Sequence, residues 1–187
     1  MLTSAAEAIK LLMGGSVGVL PTDTVYGLVC AAHDALAVKR LYALKNRIAK
    51  LGTLIAADID QVVELGFKRR YLTAVEQFWP GPVSVIVPFS DPALQYLHQG
   101  ISSIPVRIPG GKELTTLLKK TGPLLTTSAN LPGKKPANTI EEAKAYFGNK
   151  VDFYVDGGDL TNRQPSTIIR IVDDAIEVLR QGAGKVE

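Results

Sequence analysis

The stretch SVGVLPTDTVYGLVCA, residues 16–31, decides the fold class. Its two ends, Ser16 to Leu20 and Gly27 to Ala31, are short runs of apolar and β-branched residues without polar alternation, which is the pattern of strands buried on both faces. The polar PTDTVYG (21–27) joins them. Downstream, DALAVKRLYAL (34–44) repeats apolar residues at helical spacing behind Asp34, an N-cap residue. Upstream, Ser4 and Glu7 stand at capping-box spacing and Gly14-Gly15 ends a first helix. Working outward, the pattern predicts strands at Leu51–Ala57, Val83–Pro88, Ile104–Ile108, Leu124–Thr127, Val151–Val155, Thr167–Val172 and Ile176–Arg180. Helices are predicted at Ile59–Leu65, Arg69–Phe78, Lys112–Lys120 and Thr139–Phe147. Strands interleaved with helices throughout, with no repeat or linker, imply one α/β (α+β) domain over residues 1–187, a sheet whose helices cover at least one face.

Composition narrows the chemistry. Hydrophobic residues at 46% and charged residues at 21% are those of a globular domain rather than a disordered tail. The single cysteine, Cys30, excludes an intramolecular disulfide framework and any CxxC metal pair, and is in keeping with a reducing cytoplasm. Two histidines, His33 and His98, supply neither HExxH nor a partner for a nucleophile, so a metalloprotease and a Ser-His-Asp or Cys-His enzyme are disfavoured. No run approaches the length of a membrane span, and the N-terminus lacks the pattern of a signal peptide. GxxxxGK[ST] and a strand-borne GxGxxG are both missing, which disfavours a Walker ATPase and a Rossmann dehydrogenase. A net charge of +3 is too small for a nucleic-acid coat, so the position of each cation matters more than their sum.

Chemistry-bearing residues gather in polar loops, where sites on rigid sheets usually lie. PTDTVYG packs two hydroxyls, a carboxylate and a phenol together: either a turn bonded to its own backbone or a cradle for a small polar substrate. Lys45 and Arg47, with Lys50 nearby, either close a helix end in solvent or grip a polyphosphate. TTSANLPGKKPANT (126–139) carries Ser128 and Asn130 ahead of a helix, suited to an anion or a ribose, or simply to a turn. Arg107 within IPVRIP faces either solvent or a carboxylate in a cleft, and Arg180 closes the last strand beside Gly182.

Taken in order, PTDTVYGL (21–28), LKNR (44–47), FWPGPVSVIV (78–87), VRIP (106–109), TTSANLPGKKPANT (126–139), PSTIIRI (165–171) and VLRQGA (178–183) resemble the YrdC-like family. The resemblance implies a twisted mixed β-sheet flanked by helices around a large concave cavity. It implies an L-threonylcarbamoyladenylate synthase in its short single-domain form, a nucleotidyltransferase. Such an enzyme converts L-threonine, bicarbonate or CO2, and ATP with Mg2+ to threonylcarbamoyl-AMP and pyrophosphate, for t6A modification of tRNA by downstream transferase machinery, with tRNA itself as a further partner. By resemblance, Thr24, Arg107, Ser128 and Ser166 are threonine-site residues. Arg47, Ser103, Asn130, Thr139 and Arg180 are nucleotide-site residues, and Lys45 completes a Lys-x-Arg and Ser-x-Asn tetrad with Arg47, Ser128 and Asn130 in the catalytic group. No protein metal site is expected. The chain departs from the family at Ile48, where proline is usual, in the short loop up to Thr53, and in one extra residue before Thr139. Lys45→Ala or Arg47→Ala is expected to remove turnover and leave the fold intact. The competing reading is a non-catalytic RNA-binding module using Lys45, Arg47, Lys50, Lys68, Arg69, Arg70, Lys134 and Lys135, whose affinity would fall steeply with salt.

Overall fold

A computed structural model describes residues 1–46, 50–173 and 175–186. The first half runs α1 (Ala5–Met13), β1 (Gly18–Pro21), β2 (Tyr26–Ala31), α2 (Ala35–Leu44), β3 (Thr53–Ile55), α3 (Ile59–Glu64), α4 (Arg69–Thr73) and β4 (Val83–Pro88). The second half adds α5 (Gln95–His98), β5 (Ser103–Arg107), α6 (Lys112–Thr121), β6 (Leu124–Ser128), α7 (Ile140–Phe147), β7 (Phe153–Tyr154), β8 (Thr167–Val172) and β9 (Ala175–Arg180). These strands form one mixed sheet in the order β7-β1-β2-β6-β3-β5-β4-β8-β9.

The predicted caps hold the helices. Ser4 accepts from the Glu7 amide and Asp34 from the amides of Leu36 and Ala37, which satisfies amide donors a helix start leaves open. The helix expected over 69–78 breaks instead into α4 and a 3-10 turn at Glu76–Phe78. Thr73 and Val75 are β-branched, and Trp79, ahead of Pro80, is extended, so helix is disfavoured from both sides. The strands expected over 51–57 and 151–155 shorten to their central residues. The segment Pro92–His98 supplies a 3-10 turn and α5 that hydrophobic periodicity did not announce, opened by Asp91 accepting from the Ala93 amide.

Alternation divides the sheet into two apolar faces. Leu28, Cys30, Leu54 and Leu125 pack with Val38, Leu41, Leu97, Ala143 and Phe147 in one core. Their neighbours Val29, Ile55 and Leu124 point the other way, onto Ala8 and Leu12 of α1 and Leu114, Leu117 and Leu118 of α6. On this second face the strands change character along their length. Val29 gives way to Gly27, Ile55 to Thr53, and Leu124 to Thr126 and Ser128. Because side chains two apart share a face, these polar positions continue the surface that α1 and α6 cover only in part.

Candidate functional site

The polar continuation of that face is the floor of a cleft. Register brings its residues together: Gly27 lies opposite Ser128, Thr53 opposite Thr126, and Arg107 opposite Ile55. The cleft, about 590 Å³ with its open mouth included, is lined by Thr22, Thr24, Gly27, Leu51, Gly52, Thr53, Arg107, Thr126, Ser128, Ser166 and Arg180, among others. The four residues assigned to a threonine site, Thr24, Arg107, Ser128 and Ser166, therefore share one wall system with Arg180. Gly27 keeps the floor open, since a Cβ there would sit 2.6 Å from Thr126 Oγ1.

The loop 21–25 is shaped by its own hydroxyls. Thr22 Oγ1 donates to the Val25 carbonyl at 2.6 Å and accepts from the Thr24 amide at 3.2 Å, so the local turn reading holds for Thr22. Asp23 instead reaches across the fold. Its Oδ1 accepts from Arg107 Nη1 at 2.5 Å and its Oδ2 from the Gly110 amide at 3.0 Å. Arg107 is only 3% exposed, and its Nε, buried at the wall, has no hydrogen-bond partner among the described residues. A buried donor without a partner is uncommon in a folded protein.

A second clamp forms at the far wall. Arg180 donates from Nε (3.1 Å) and Nη2 (2.6 Å) to the Ser166 carbonyl, and Ser166 Oγ lies 2.9 Å from Ser84 Oγ. Ser84, within the strand run FWPGPVSVIV, carries no site signal along the chain, because only the pairing of β4 with β8 brings it to Ser166.

Lys45 is not the solvated helix end that one reading of its position offers; it meets Ser128 and Asn130, the residues that the resemblance groups with it. It caps α2, yet it is 1% exposed rather than solvated. Its ammonium donates to the Ser128 carbonyl (2.8 Å), to Asn130 Oδ1 (2.8 Å) and to the Asn130 carbonyl. Ser128 Oγ donates to the same Oδ1 at 2.7 Å, and the Asn130 amide donates to the Lys134 carbonyl at 2.6 Å. Lys45, Ser128 and Asn130 are thus one buried unit that sets the course of the loop after β6. An ammonium so placed cannot grip RNA, and Lys45→Ala cannot be expected to spare the fold as a solvated residue would.

The remaining assignments are placed as follows. Thr139 is the N-cap of α7, its hydroxyl accepting from the Glu142 amide at 3.3 Å. Ser103 begins β5 and pairs with Pro88. Neither Ser103, Asn130 nor Thr139 lines the cleft floor. Arg47 and Ile48 lie outside the described residues. Of the cations in the RNA reading, Arg69 is paired with Asp60 at 2.5 Å. Among the described residues no three His, Cys, Asp or Glu side chains group as a metal would need, and no helix is long and apolar enough to cross a membrane. The loop 156–166 is tied down beside the cleft. Tyr26, its phenol pushed up by burial, donates to the Gly158 carbonyl at 2.9 Å, and Arg163 donates to the Thr22 carbonyl at 3.1 Å.

Residues 10–182 match the sequence profile of the Sua5_yciO_yrdC family, described as "Telomere recombination". The chain is 34% identical over 172 residues to a threonylcarbamoyl-AMP synthase of Marinobacter nauticus, covering 89% of this chain and 90% of that protein. A synthase of the same name from Idiomarina loihiensis is 34% identical over 164 residues, covering 83% and 87%. Among solved structures, P. abyssi Sua5 complexed with L-threonine is similar at 28% identity and a TM-score of 0.84, over 95% of this chain. This chain spans about half of that protein, 54% of its length. E. coli YciO is similar at 26% identity and a TM-score of 0.84, over 98% of this chain and 91% of that one.

Proposed function

This chain belongs to the Sua5–YciO–YrdC family, and on that footing we propose that it is a threonylcarbamoyl-AMP synthase, an enzyme that makes threonylcarbamoyl-AMP and pyrophosphate for the t6A modification of tRNA. The observation that carries the reading is the convergence of Thr24, Arg107, Ser128, Ser166 and Arg180 on one cleft, with the guanidinium of the buried Arg107 held by Asp23.

In this reading the guanidinium of Arg107 pairs with the carboxylate of L-threonine, and the hydroxyls of Thr24, Ser128 and Ser166 orient the rest of the molecule. The threonine amine, as the free base, adds to CO2 derived from bicarbonate and loses a proton to solvent, giving a carbamate. A carbamate oxygen then attacks the α-phosphorus of ATP; the new P–O bond forms as the bond to the bridging oxygen breaks, and pyrophosphate leaves. No protein nucleophile takes part, so the rate comes from alignment and from charge stabilisation around the phosphorus. Arg180 and Arg47 are the cations for the phosphates, Ser103, Asn130 and Thr139 the nucleotide contacts, and Lys45 with Asn130 the scaffold of the adjoining loop. Mg2+ enters as part of the MgATP substrate, which suits a cleft of cations and hydroxyls without a carboxylate cage. The transfer of an adenylyl group makes the enzyme a nucleotidyltransferase. We place it in the cytoplasm, handing its product to a tRNA threonylcarbamoyl-transferase machinery.

The test is direct. Purified protein given MgATP, bicarbonate and labelled L-threonine should release pyrophosphate only when threonine is present and should form a labelled adenylate. Pyrophosphate release that ignores threonine, or none at all, would overturn the assignment.

A further inference from the structure

The Asp23 carboxylate lies behind the cleft rather than in it. It belongs to a neighbouring groove with Pro21, Gly110, Lys112 and Arg163, whereas Arg107 lines the cleft itself. We propose that Asp23 is a positioning residue, which fixes the guanidinium of Arg107 at the cleft wall where it meets the carboxylate of the amino-acid substrate. The inference rests on the synthase reading and adds a role for a residue that does not touch substrate.

Three observations carry it. First, Asp23 Oδ1 takes Arg107 Nη1 at 2.5 Å although Asp23 does not line the cleft, while Arg107 Nε is buried with no partner among the described residues. A planar fork held at one nitrogen has its remaining edge fixed in direction, whereas an unheld arginine carries large rotamer freedom. Second, Oδ2 takes the Gly110 amide at 3.0 Å, so the carboxylate is itself fixed and joins the loop after β1 to the chain leaving β5. Third, the side chains are 3% and 13% exposed. A guanidinium that deep needs a counter-charge before substrate arrives, and Asp23 supplies it without occupying the cleft.

The test compares ligands with and without the carboxylate. Calorimetry on the wild type, Asp23→Asn and Asp23→Glu should measure L-threonine, L-threoninamide and ATP separately, with thermal unfolding to check that each variant is folded. Loss of one charge-assisted hydrogen bond predicts that Asp23→Asn weakens L-threonine roughly 10- to 150-fold. L-Threoninamide and ATP should bind as to the wild type, and Asp23→Glu, which keeps the charge on a longer arm, should recover part of the loss. Unchanged threonine affinity in Asp23→Asn, or equal weakening of all three ligands, would overturn the proposal. Should Asp23→Asn not fold, Asp23→Glu decides: threonine alone weakened supports the role, and wild-type affinity for every ligand overturns it. A wild type that binds no threonine removes the synthase reading and this inference together. A wild type that binds threonine beside an indifferent Asp23→Asn removes the inference alone.

Discussion

Replacing Lys45 by methionine tests whether this lysine is a structural ligand of the loop after β6. The methionine keeps the approximate length and volume of the aliphatic chain and deletes only the ammonium. The ammonium serves the Ser128 carbonyl, the Asn130 carbonyl and Asn130 Oδ1. Oδ1 keeps a donor in Ser128 Oγ, at 2.7 Å, so two carbonyls lose the partner seen here. Each buried acceptor left open costs about 1–3 kcal/mol, or about 2–6 kcal/mol for the two. Removing a 1%-exposed charge from the interior returns part of that sum. A net loss of about 3 kcal/mol is expected, and for a domain of this size each kcal/mol lowers Tm by about 2–4 °C. Calorimetric unfolding of Lys45→Met should therefore show Tm about 6–12 °C below the wild type, and Lys45→Ala should fall further because it also opens a cavity. Threonine-dependent pyrophosphate release should fall in both, through displacement of Ser128. A Lys45→Met protein that melts with the wild type would refute the buried-ligand account and return Lys45 to a solvent-facing role.

Three further outcomes follow from local geometry. Burial alone would raise the Asp152 carboxyl, but two hydrogen bonds from Arg40 and one from the Val17 amide outweigh it and hold the group below the usual carboxylate range. A depressed folded-state value stabilises above the unfolded value, about 3.9, and the gain is lost as pH falls through the folded value. The stability gap between wild type and Asp152→Asn, about 1 kcal/mol after solvent screening, should thus be flat from about pH 5 to 8 in urea titrations and close on further acidification. Gly182→Ala should destabilise by about 1–3 kcal/mol and raise KM for threonine, because the new Cβ would meet the Pro165 carbonyl oxygen at 2.1 Å and the Ser166 backbone at 2.7 Å; urea unfolding and steady-state kinetics check it. Burial pushes the Cys30 thiol far up, so iodoacetamide at pH 8 should label it only after denaturation, as mass spectrometry would read.

Much of this was legible in the chain itself. Caps at Ser4 and Asp34 and the largely apolar, β-branched runs of β2 and β4 are local properties, set by backbone hydrogen bonding and side-chain period. The cleft motifs were legible because each is a contiguous polar segment beside a strand. What stayed hidden was which of those segments meet. Thr24, Arg107 and Ser166 come from distant parts of the chain, and their convergence depends on register between strands, which the sequence does not spell out. The break in the helix expected over 69–78 has a local cause, β-branched Thr73 and Val75 and the extended Trp79 ahead of Pro80, which apolar periodicity alone does not register.

The sequence by itself determined the class of fold, the family and the inventory of polar loops, because those depend on residue type and spacing along the chain. The tertiary structure alone decided the work of individual charges. Lys45 stands at a helix end where spacing leaves a solvated cation and a phosphate grip both open, and only the fold shows it buried on oxygens of Ser128 and Asn130, more than 80 residues away. Asp23 reads as a turn residue, yet its carboxylate crosses 84 positions to hold Arg107. The physical reason is common to both: a charge takes its role from its partners and its distance from water, and the sheet fixes these only when it closes.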